Sequence, residues 1–436
     1  MSTNHKNQSS ILSKLGITQL NPMQETAQEA IATNKDVVLL SPTGTGKTLA
    51  FLLPMLEKLN SDSKEVQTLI ITPSRELAIQ IEQVFREMGT GYKANCVYGG
   101  RPMSKDKIEL AHTPTVLIGT PGRIADHLRK GSFETFDIAT LILDEFDKSL
   151  EVGFEAEMSE IVELLPSIKQ KILTSATQEI EIPTFVGIQN PIEINFLGEK
   201  KSQLIIKKVL SPDKDKLKTL VDTLCHIGNK SGIIFCNYKD SIARVSDYLN
   251  DYEIPHGCFY GGLEQKDRER ALIKFRNGTY HILIATDLAA RGLDIPEIDF
   301  LIHYQLPLKV EEFTHRNGRT ARMNSEGTAY VIQWKKEDLP DFITIDDVAH
   351  LQQNTLPEPS PWKTLFISGG RQDKISKGDI VGLLIKKGKL SGNQVGVIEL
   401  KHDCAFVSVK IKNTKPLLDI INNERLKKKK VRITEI

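Results

Sequence analysis

Two short stretches in the first third of the chain carry residue types whose spacing suits phosphate chemistry. Ser41-Pro42-Thr43-Gly44-Thr45-Gly46-Lys47-Thr48 follows the apolar run Val37-Val38-Leu39-Leu40 and precedes a helix-compatible segment starting near Leu49. A strand, a glycine loop and a helix in that order let backbone N–H groups wrap a polyphosphate. Gly44 and Gly46 allow the backbone to close without a Cβ in the way. Lys47 offers a point charge to the β- and γ-phosphates, and the Thr48 hydroxyl can ligate Mg2+. The strict pattern wants glycine where this chain has Ser41. Asp144-Glu145-Phe146-Asp147 follows a second apolar run, Leu141-Ile142-Leu143. Asp144 can hold Mg2+ through water, and Glu145 can position or deprotonate an attacking water. The two stretches together imply binding and hydrolysis of a nucleoside triphosphate.

Such groups need a rigid sheet to hold them. Up to about residue 197, short apolar runs alternate with amphipathic helical stretches: Leu69-Ile70-Ile71, Thr115-Val116-Leu117-Ile118, Leu141-Ile142-Leu143 and Lys171-Ile172-Leu173. Continuous apolar strands separated by helices imply a buried parallel sheet with helices on both faces. A second set runs through Gly232-Ile233-Ile234-Phe235, Ile282-Leu283-Ile284 and Phe300-Leu301-Ile302-His303. A polar stretch, Gly198 to Ser202, separates the sets as a hinge, and Pro357-Glu358-Pro359-Ser360-Pro361 precedes a tail of domain size. The expected fold class is α/β: two parallel-sheet lobes, 1–197 and 204–354, plus a small α+β domain at 362–436.

The net charge of +1 conceals an asymmetry. From Pro361 onward there are 17 Lys and Arg against 7 Asp and Glu, which leaves 40 against 49 in the remainder. A basic end on an acidic body suggests an appended module for a polyanion. The run Lys427-Lys428-Lys429-Lys430 lies inside a segment that reads as folded. The five cysteines are scattered without metal-ligand spacing, which suits a reducing compartment. No apolar run approaches a membrane span and the first ten residues are polar, so the expectation is a cytoplasmic protein.

The first two lobes resemble a DEAD-box RNA helicase, a superfamily 2 enzyme of two RecA-like lobes, with an ordered set of motifs from Gly16 to Arg322. Gly16-Ile17 through Pro22-Met23-Gln24 resembles the Q motif, so Ile17 and Gln24 would serve the nucleotide, Gln24 by reading the adenine edge. Arg75 in Thr72–Ala78 resembles motif Ia, Gly99-Gly100 the glycine doublet, and Thr120-Pro121-Gly122-Arg123 motif Ib; the resemblance puts Arg75, Gly100, Thr120, Gly122 and Arg123 on RNA backbone. Ser175-Ala176-Thr177 matches motif III, implying that Ser175 and Thr177 couple the ATP site to RNA. In the second lobe Ile233–Asn237 resembles motif IV and Gln265-Lys266-Asp267-Arg268 the QxxR motif. Ala285-Thr286-Asp287 through Arg291-Gly292-Leu293-Asp294 resembles motif V. Gln265, Arg268, Thr286 and Arg291 would contact RNA, with Asp294 near the ribose. His315–Arg322 matches motif VI, with Arg319 and Arg322 as arginine fingers. Catalytic groups divided between lobes imply that ATP and RNA favour one closed state and assist each other's binding.

Two departures stand out. Phe146 occupies the third place of motif II, where the family has alanine, and a phenyl ring there must displace neighbours near the nucleotide or motif III. Residues 1 to 16 hold no Phe, Tyr or Trp, so the family's adenine-stacking aromatic is missing and weaker nucleotide discrimination is expected.

The tail reads as a strand at Lys363–Ile367, a helix Asp379–Lys387, strands at Gly396–Leu400 and Ala405–Lys410, a helix near Pro416–Asn423 and a strand at Val431–Ile433. This βαββαβ order is that of an RRM-like fold. Phe366 and Phe406 could stack bases on the sheet; loops and the lysines 427 to 430 compete for that role. Leu365–Gly370, Lys377–Gly382 and the Lys427–Ile433 end also resemble the C-terminal domain of the DbpA group of bacterial DEAD-box proteins. That group's domain recognises a hairpin of 23S rRNA, so the resemblance implies an ATP- and Mg2+-dependent RNA helicase in large-subunit assembly, with no DNA or membrane partner. The tail would then tether RNA near the lobes through the Pro-rich linker. A general mRNA or cold-adaptation helicase with a nonspecific basic tail, and an RNA clamp with little turnover, are the alternatives.

Overall fold

A computed structural model describes residues 8–33, 35–151, 153–177, 181–198, 203–287, 298–320, 326–352 and 355–436. Arg291, Asp294 and Arg322, expected at the site, lie outside the described residues, as does most of the expected hinge. The chain divides into two compact units, one of Met1–Ser202 with Arg291–Asp294 and one of Gln203–Ala290 with Ile295–Ile436.

The first unit holds seven parallel strands: β1 (Val37–Leu40), β2 (Thr68–Ile71), β3 (Ala94–Val97), β4 (Val116–Gly119), β5 (Thr140–Leu143), β6 (Gln170–Ser175) and β7 (Ile192–Asn195). Their order across the sheet is β3-β4-β2-β5-β6-β1-β7. Every residue of β1, β2, β4 and β5 is buried, as expected of strands covered on both faces. One apolar layer contains Leu39, Ile70, Ile118 and Ile142, the other Leu40, Leu69, Leu117 and Leu141, so successive side chains feed opposite faces.

The second unit repeats this design with β8 (Gln203–Ser211), β9 (Gly232–Phe235), β10 (His256–Phe259), β11 (Ile282–Ala285), β12 (Phe300–His303), β13 (Glu326–Trp334) and β14 (Asp347–Val348), in the order β10-β11-β9-β12-β13-β8-β14. The same unit contains an antiparallel sheet of β15 (Trp362–Ile367), β16 (Val395–Leu400), β17 (Ala405–Lys410) and β20 (Ile433–Glu435), ordered β16-β17-β15-β20. Between Ile421 and Ile433 the short strands β18 (Arg425–Leu426) and β19 (Lys429–Lys430) form a hairpin. The expected βαββαβ order holds, with helices at Lys377–Gly382, continued by a π-helical turn to Lys387, and at Lys415–Ile421.

Candidate nucleotide and RNA sites

The glycine loop sits at the C-terminal end of β1, which lies between β6 and β7, at the strand ends where ligands bind in such folds. Gly44 and Gly46 have φ of 81° and 87°, values at which a Cβ is strained. The helix Lys47–Leu56 starts at Gly46 with no side-chain cap, so no side chain takes the place of an anion at its N-terminus. Lys47 is buried and its Nζ donates to the carbonyls of Ser41 and Pro42 at 2.6 and 3.1 Å. Ser41 is absorbed into the loop, its Oγ 2.8 Å from Thr45 Oγ1, while its N–H donates to the Ser175 carbonyl at 3.0 Å. Thr43 in the loop and Thr48 in the first turn of the helix are half-buried.

The helix Pro22–Ala32 is stitched onto this loop. Asn21 Nδ2 donates to the Thr45 carbonyl at 2.9 Å, and Gln24 Nε2 to the Gly46 carbonyl at 3.2 Å. A capping box fixes both side chains: Asn21 Oδ1 accepts from Gln24 N at 2.9 Å, and Gln24 Oε1 from Asn21 N at 3.0 Å. Ile17 is half-buried against the apolar layer beneath.

At the end of β5, Asp144 is buried, and its carboxylate accepts a hydrogen bond from Thr174 Oγ1. Burial pushes the Asp144 carboxyl up, opposed by the Thr174 hydrogen bond and the nearby Lys47 charge. Glu145 has φ 48°, a left-handed backbone that costs roughly 1–2 kcal/mol for a residue with a side chain. Its N–H is held by Thr174 Oγ1 at 3.1 Å. Thr174 therefore bridges both acidic residues, a role with no signal in the sequence beyond its place beside motif III. Ser175 Oγ accepts from Thr177 N at 3.0 Å, and Thr177 Oγ1 donates to Asp147 Oδ2 at 3.4 Å. The other Asp147 carboxylate oxygen is buried with no hydrogen-bond partner among the described residues. Buried carboxylates with an orphaned oxygen, beside an open helix start, fit a hard divalent cation carried in with phosphate. Phe146 points into the apolar layer that includes Val38, Leu40, Leu143 and Leu173, with no exposed surface. Its ring is core, which corrects the expectation of crowding beside the nucleotide.

The RNA candidates of the first unit gather at the C-terminal ends of β2, β3 and β4, three neighbouring strands. A Cβ on Gly100 would come within 2.7 Å of the Arg75 guanidinium carbon, so that guanidinium lies flat against the doublet. Thr120 starts the helix Pro121–Arg129 without a side-chain cap, and Gly122 faces open space. Arg123 is committed inward: Nη1 donates to Asp106 at 2.9 Å and Nη2 to the Arg101 carbonyl at 2.6 Å.

In the second unit the hub is Arg316, 1% exposed. Its Nε donates to Asp287 at 2.6 Å, Nη2 to Asn237 at 2.8 Å and Nη1 to the Gln305 carbonyl at 2.8 Å, tying motifs IV, V and VI together. Motif spacing marks all three residues, but only the fold reveals that they converge. Arg319 is buried three residues further on. Gln265 and Arg268 open the helix Gln265–Arg276; Arg268 lies 5.0 Å over the Phe259 ring, and Thr286 N–H donates to the Phe259 carbonyl at 3.3 Å.

The tail's sheet has one face in its own core and the other on the helicase lobe. Leu365, Ile367, Val407 and Val409 are core. Opposite them, Thr364 Oγ1 is 2.6 Å from Thr279 Oγ1 and 3.3 Å from Asn277 Nδ2, and Glu399 accepts two bonds from Arg276 at 2.8 and 2.9 Å. Phe366 and Phe406 share that face, ring centroids 5.5 Å apart, with Phe406 buried. Phe406 is thereby withdrawn from base stacking, while Phe366 stays half-buried. The linker is laid down too: Glu358 N donates to Asn229 at 2.7 Å and Ser360 Oγ to the Gly278 carbonyl. The Pro-rich linker thus ends in a module docked on the second lobe. Lys427, Lys428 and Lys430 are exposed around the small hairpin, while Lys427 and Lys429 pair with Asp379 and Asp373 at 3.0 and 2.8 Å.

A phosphate-wrapping loop and acidic strand end on one RecA-like lobe, followed by a second such lobe, define a nucleoside triphosphatase motor. Residues 21–184 match the DEAD/DEAH box helicase family, 215–324 the helicase conserved C-terminal domain and 364–435 the DbpA RNA binding domain. The ATP-dependent RNA helicase DbpA of Bacillus subtilis (strain 168) is 32% identical, over 97% of this chain and 96% of the relative. DbpA of Escherichia coli (strain K12) is 31% identical, over 92% and 90%. Among solved structures, S. cerevisiae Dbp5 bound to RNA and ADP BeF3 matches with TM-score 0.67 and 26% identity, over 76% of this chain and 89% of that one. Mss116p bound to ssRNA and AMP-PNP matches with TM-score 0.68 and 25% identity, over 76% and 73%. The chain belongs to the DEAD-box ATP-dependent RNA helicases, in their DbpA-like group. It is an RNA-dependent ATPase. No helix among the described residues is long and apolar enough to cross a membrane.

Proposed function

We propose that this helicase remodels 23S rRNA within a large-subunit precursor, addressed there by its docked tail. The observation that carries the reading is the match of residues 364–435 to the DbpA RNA binding domain. The sheet face of that domain is packed on the lobe, so the reading places hairpin recognition on its loops and on the exposed Lys427, Lys428 and Lys430. Lysines on a short hairpin attract phosphate without reading bases, so specificity falls to the fold of the RNA.

In the first lobe, Lys47 and the open start of its helix hold the ATP phosphates, and Gln24 reads adenine. Thr48 and Asp144 would hold Mg2+, Asp144 through water, and the bound ion would supply charge neutralisation at the phosphates. Glu145, fixed by Thr174, orients the attacking water, and Arg319 with Arg322 completes the site from the second lobe. Ser175 and Thr177 relay between this site and RNA. Arg75, Gly100, Thr120 and Gly122 on one lobe, with Gln265, Arg268, Thr286 and Arg291 on the other, grip one RNA strand by its backbone. Asp294 is assigned to the ribose. Backbone grip carries little sequence preference, which is why an addressed tail matters.

The test is equilibrium binding of the full chain to the 23S hairpin and to a scrambled hairpin of equal length at physiological salt. The reading expects the native hairpin to bind at least about tenfold tighter, near 1.4 kcal/mol. Equal affinity would return the protein to a general RNA helicase with a nonspecific tail.

A further inference from the structure

Between the glycine doublet and motif Ib lies the helix Met103–Leu110. It carries Asp106, whose carboxylate is fully buried. One oxygen accepts from Arg101 Nε, and the other from Arg123 Nη1 at 2.9 Å, with His127 Nε2 at 3.1 Å. His127 is also fully buried, and its Nδ1 has no hydrogen-bond partner among the described residues. The proton therefore belongs on Nε2, facing Asp106. Arg123 Nη2 closes the circuit on the Arg101 carbonyl at 2.6 Å.

The chain positions matter as much as the distances. Arg101 directly follows the doublet Gly99-Gly100, while Arg123 and His127 lie on the helix that Thr120 opens. Gly100 sits at φ 85° and carries the Arg75 guanidinium against it, so a rotation of this loop moves Arg75 as well. Arg101 is held besides by Glu109 at 2.5 Å and by the Tyr98 ring, 5.3 Å from its guanidinium.

We infer that Asp106 is a positioning residue for RNA. Its buried carboxylate clamps the glycine-doublet loop to the start of the motif Ib helix, fixing the spacing of two groups read as gripping the RNA backbone. It does so from behind, touching no RNA. Burial opposes the charged form, but the hydrogen bonds from His127 and Arg101 and the charges of Arg101 and Arg123 outweigh it, so the carboxyl titrates below its ordinary range. The clamp is ionised throughout the physiological range. An anion among two arginines and a histidine cannot be replaced by a neutral group without leaving buried guanidinium charge uncompensated.

The inference rests on the reading that Arg75, Gly100, Thr120 and Gly122 grip RNA backbone, and the experiment separates the two. ATPase of the full chain is titrated with single-stranded polyuridine for the unchanged protein, Asp106→Asn, Asp106→Glu and Arg75→Ala, with melting temperatures in parallel. Asp106→Asn is expected to raise the RNA concentration for half-saturation about tenfold or more, with kcat at saturating RNA and the ATP KM each within about twofold. Asp106→Glu, which keeps the charge, recovers part of that loss. A lowered melting temperature with unchanged RNA half-saturation in Asp106→Asn, beside a raised one in Arg75→Ala, overturns the clamp alone. Unchanged half-saturation in both overturns the RNA-site reading itself. If Asp106→Asn does not fold, Arg101→Met opens one arm of the clamp and is expected to give a smaller shift in the same parameter; an unchanged value overturns the inference.

Discussion

The side-chain amide of Gln24 donates to the carbonyl of Gly46, 3.2 Å away, across 22 residues of sequence. The residue expected to read adenine is thus bonded to the loop expected to hold the phosphates. Removing it loosens both ends of the nucleotide site. Gln24→Ala should raise the ATP KM by about tenfold or more, roughly 1.4 kcal/mol, in steady-state ATPase assays. In the unchanged protein, the lack of an aromatic before residue 17 predicts measurable turnover of other nucleoside triphosphates; strict ATP preference across a nucleotide panel would contradict it.

Thr174 gives a sharper prediction. Its hydroxyl joins the Asp144 carboxylate to the strained backbone of Glu145. Thr174→Val keeps the shape and deletes both bonds. Because hydrogen bonds to buried charged groups are worth about 1.5–3 kcal/mol, kcat should fall by roughly tenfold to a hundredfold. Turnover within twofold of the unchanged enzyme would mean that Glu145 needs no such support.

Phe146 separates stability from catalysis. A fully buried ring truncated to methyl costs about 3–5 kcal/mol. Phe146→Ala should therefore shift chemical denaturation to lower denaturant, while ATPase per folded molecule stays within about tenfold. A collapse of kcat in protein shown to be folded would place the ring in the reaction.

His303 predicts an acid-sensitive second lobe. Burial chiefly, with the Arg316 charge, pushes its pKa down to about 3, against a hydrogen bond with Asn317. The unfolded chain takes up that proton near pH 6.5. Neutral His303 thus contributes stability that is complete above about pH 6.5 and is lost progressively as pH falls toward 3. Urea midpoints measured from pH 7 to 5 should fall less steeply in His303→Gln than in the unchanged protein.

The docked tail depends on Arg276 and Glu399, which pair bidentately between lobe and tail. Arg276→Glu should release the tail and expand the particle in small-angle scattering. Arg276→Glu with Glu399→Arg should restore the compact form. Identical profiles for all three would assign the docking to Thr364 and its neighbours instead.

The periodicity of the sequence carried the lobes because parallel strands buried on both faces announce themselves as unbroken apolar runs; β2, β5, β9 and β12 lie within a residue of where composition puts them. The glycine loop and the acidic strand end were legible for a related reason, since chemistry fixes both residue type and spacing there. Convergence was not legible. Thr174, Asp106, Asn21 and the Arg316 hub act through partners 3 to 79 residues away, and a threonine or aspartate carries no mark of what it will meet. Nor could sequence decide between the two faces of the tail's sheet, because Phe366 and Phe406 suit a base and a packed interface equally well.

Steady-state ATPase of the full chain, compared across no RNA, generic single-stranded RNA and the 23S hairpin fragment, tests the central claim most directly. Half-maximal stimulation by the hairpin is expected at concentrations at least about tenfold lower than by generic RNA, with the advantage lost in Lys428→Glu/Lys430→Glu. Equal stimulation by both RNAs, or a hairpin advantage that survives that double variant, would contradict it.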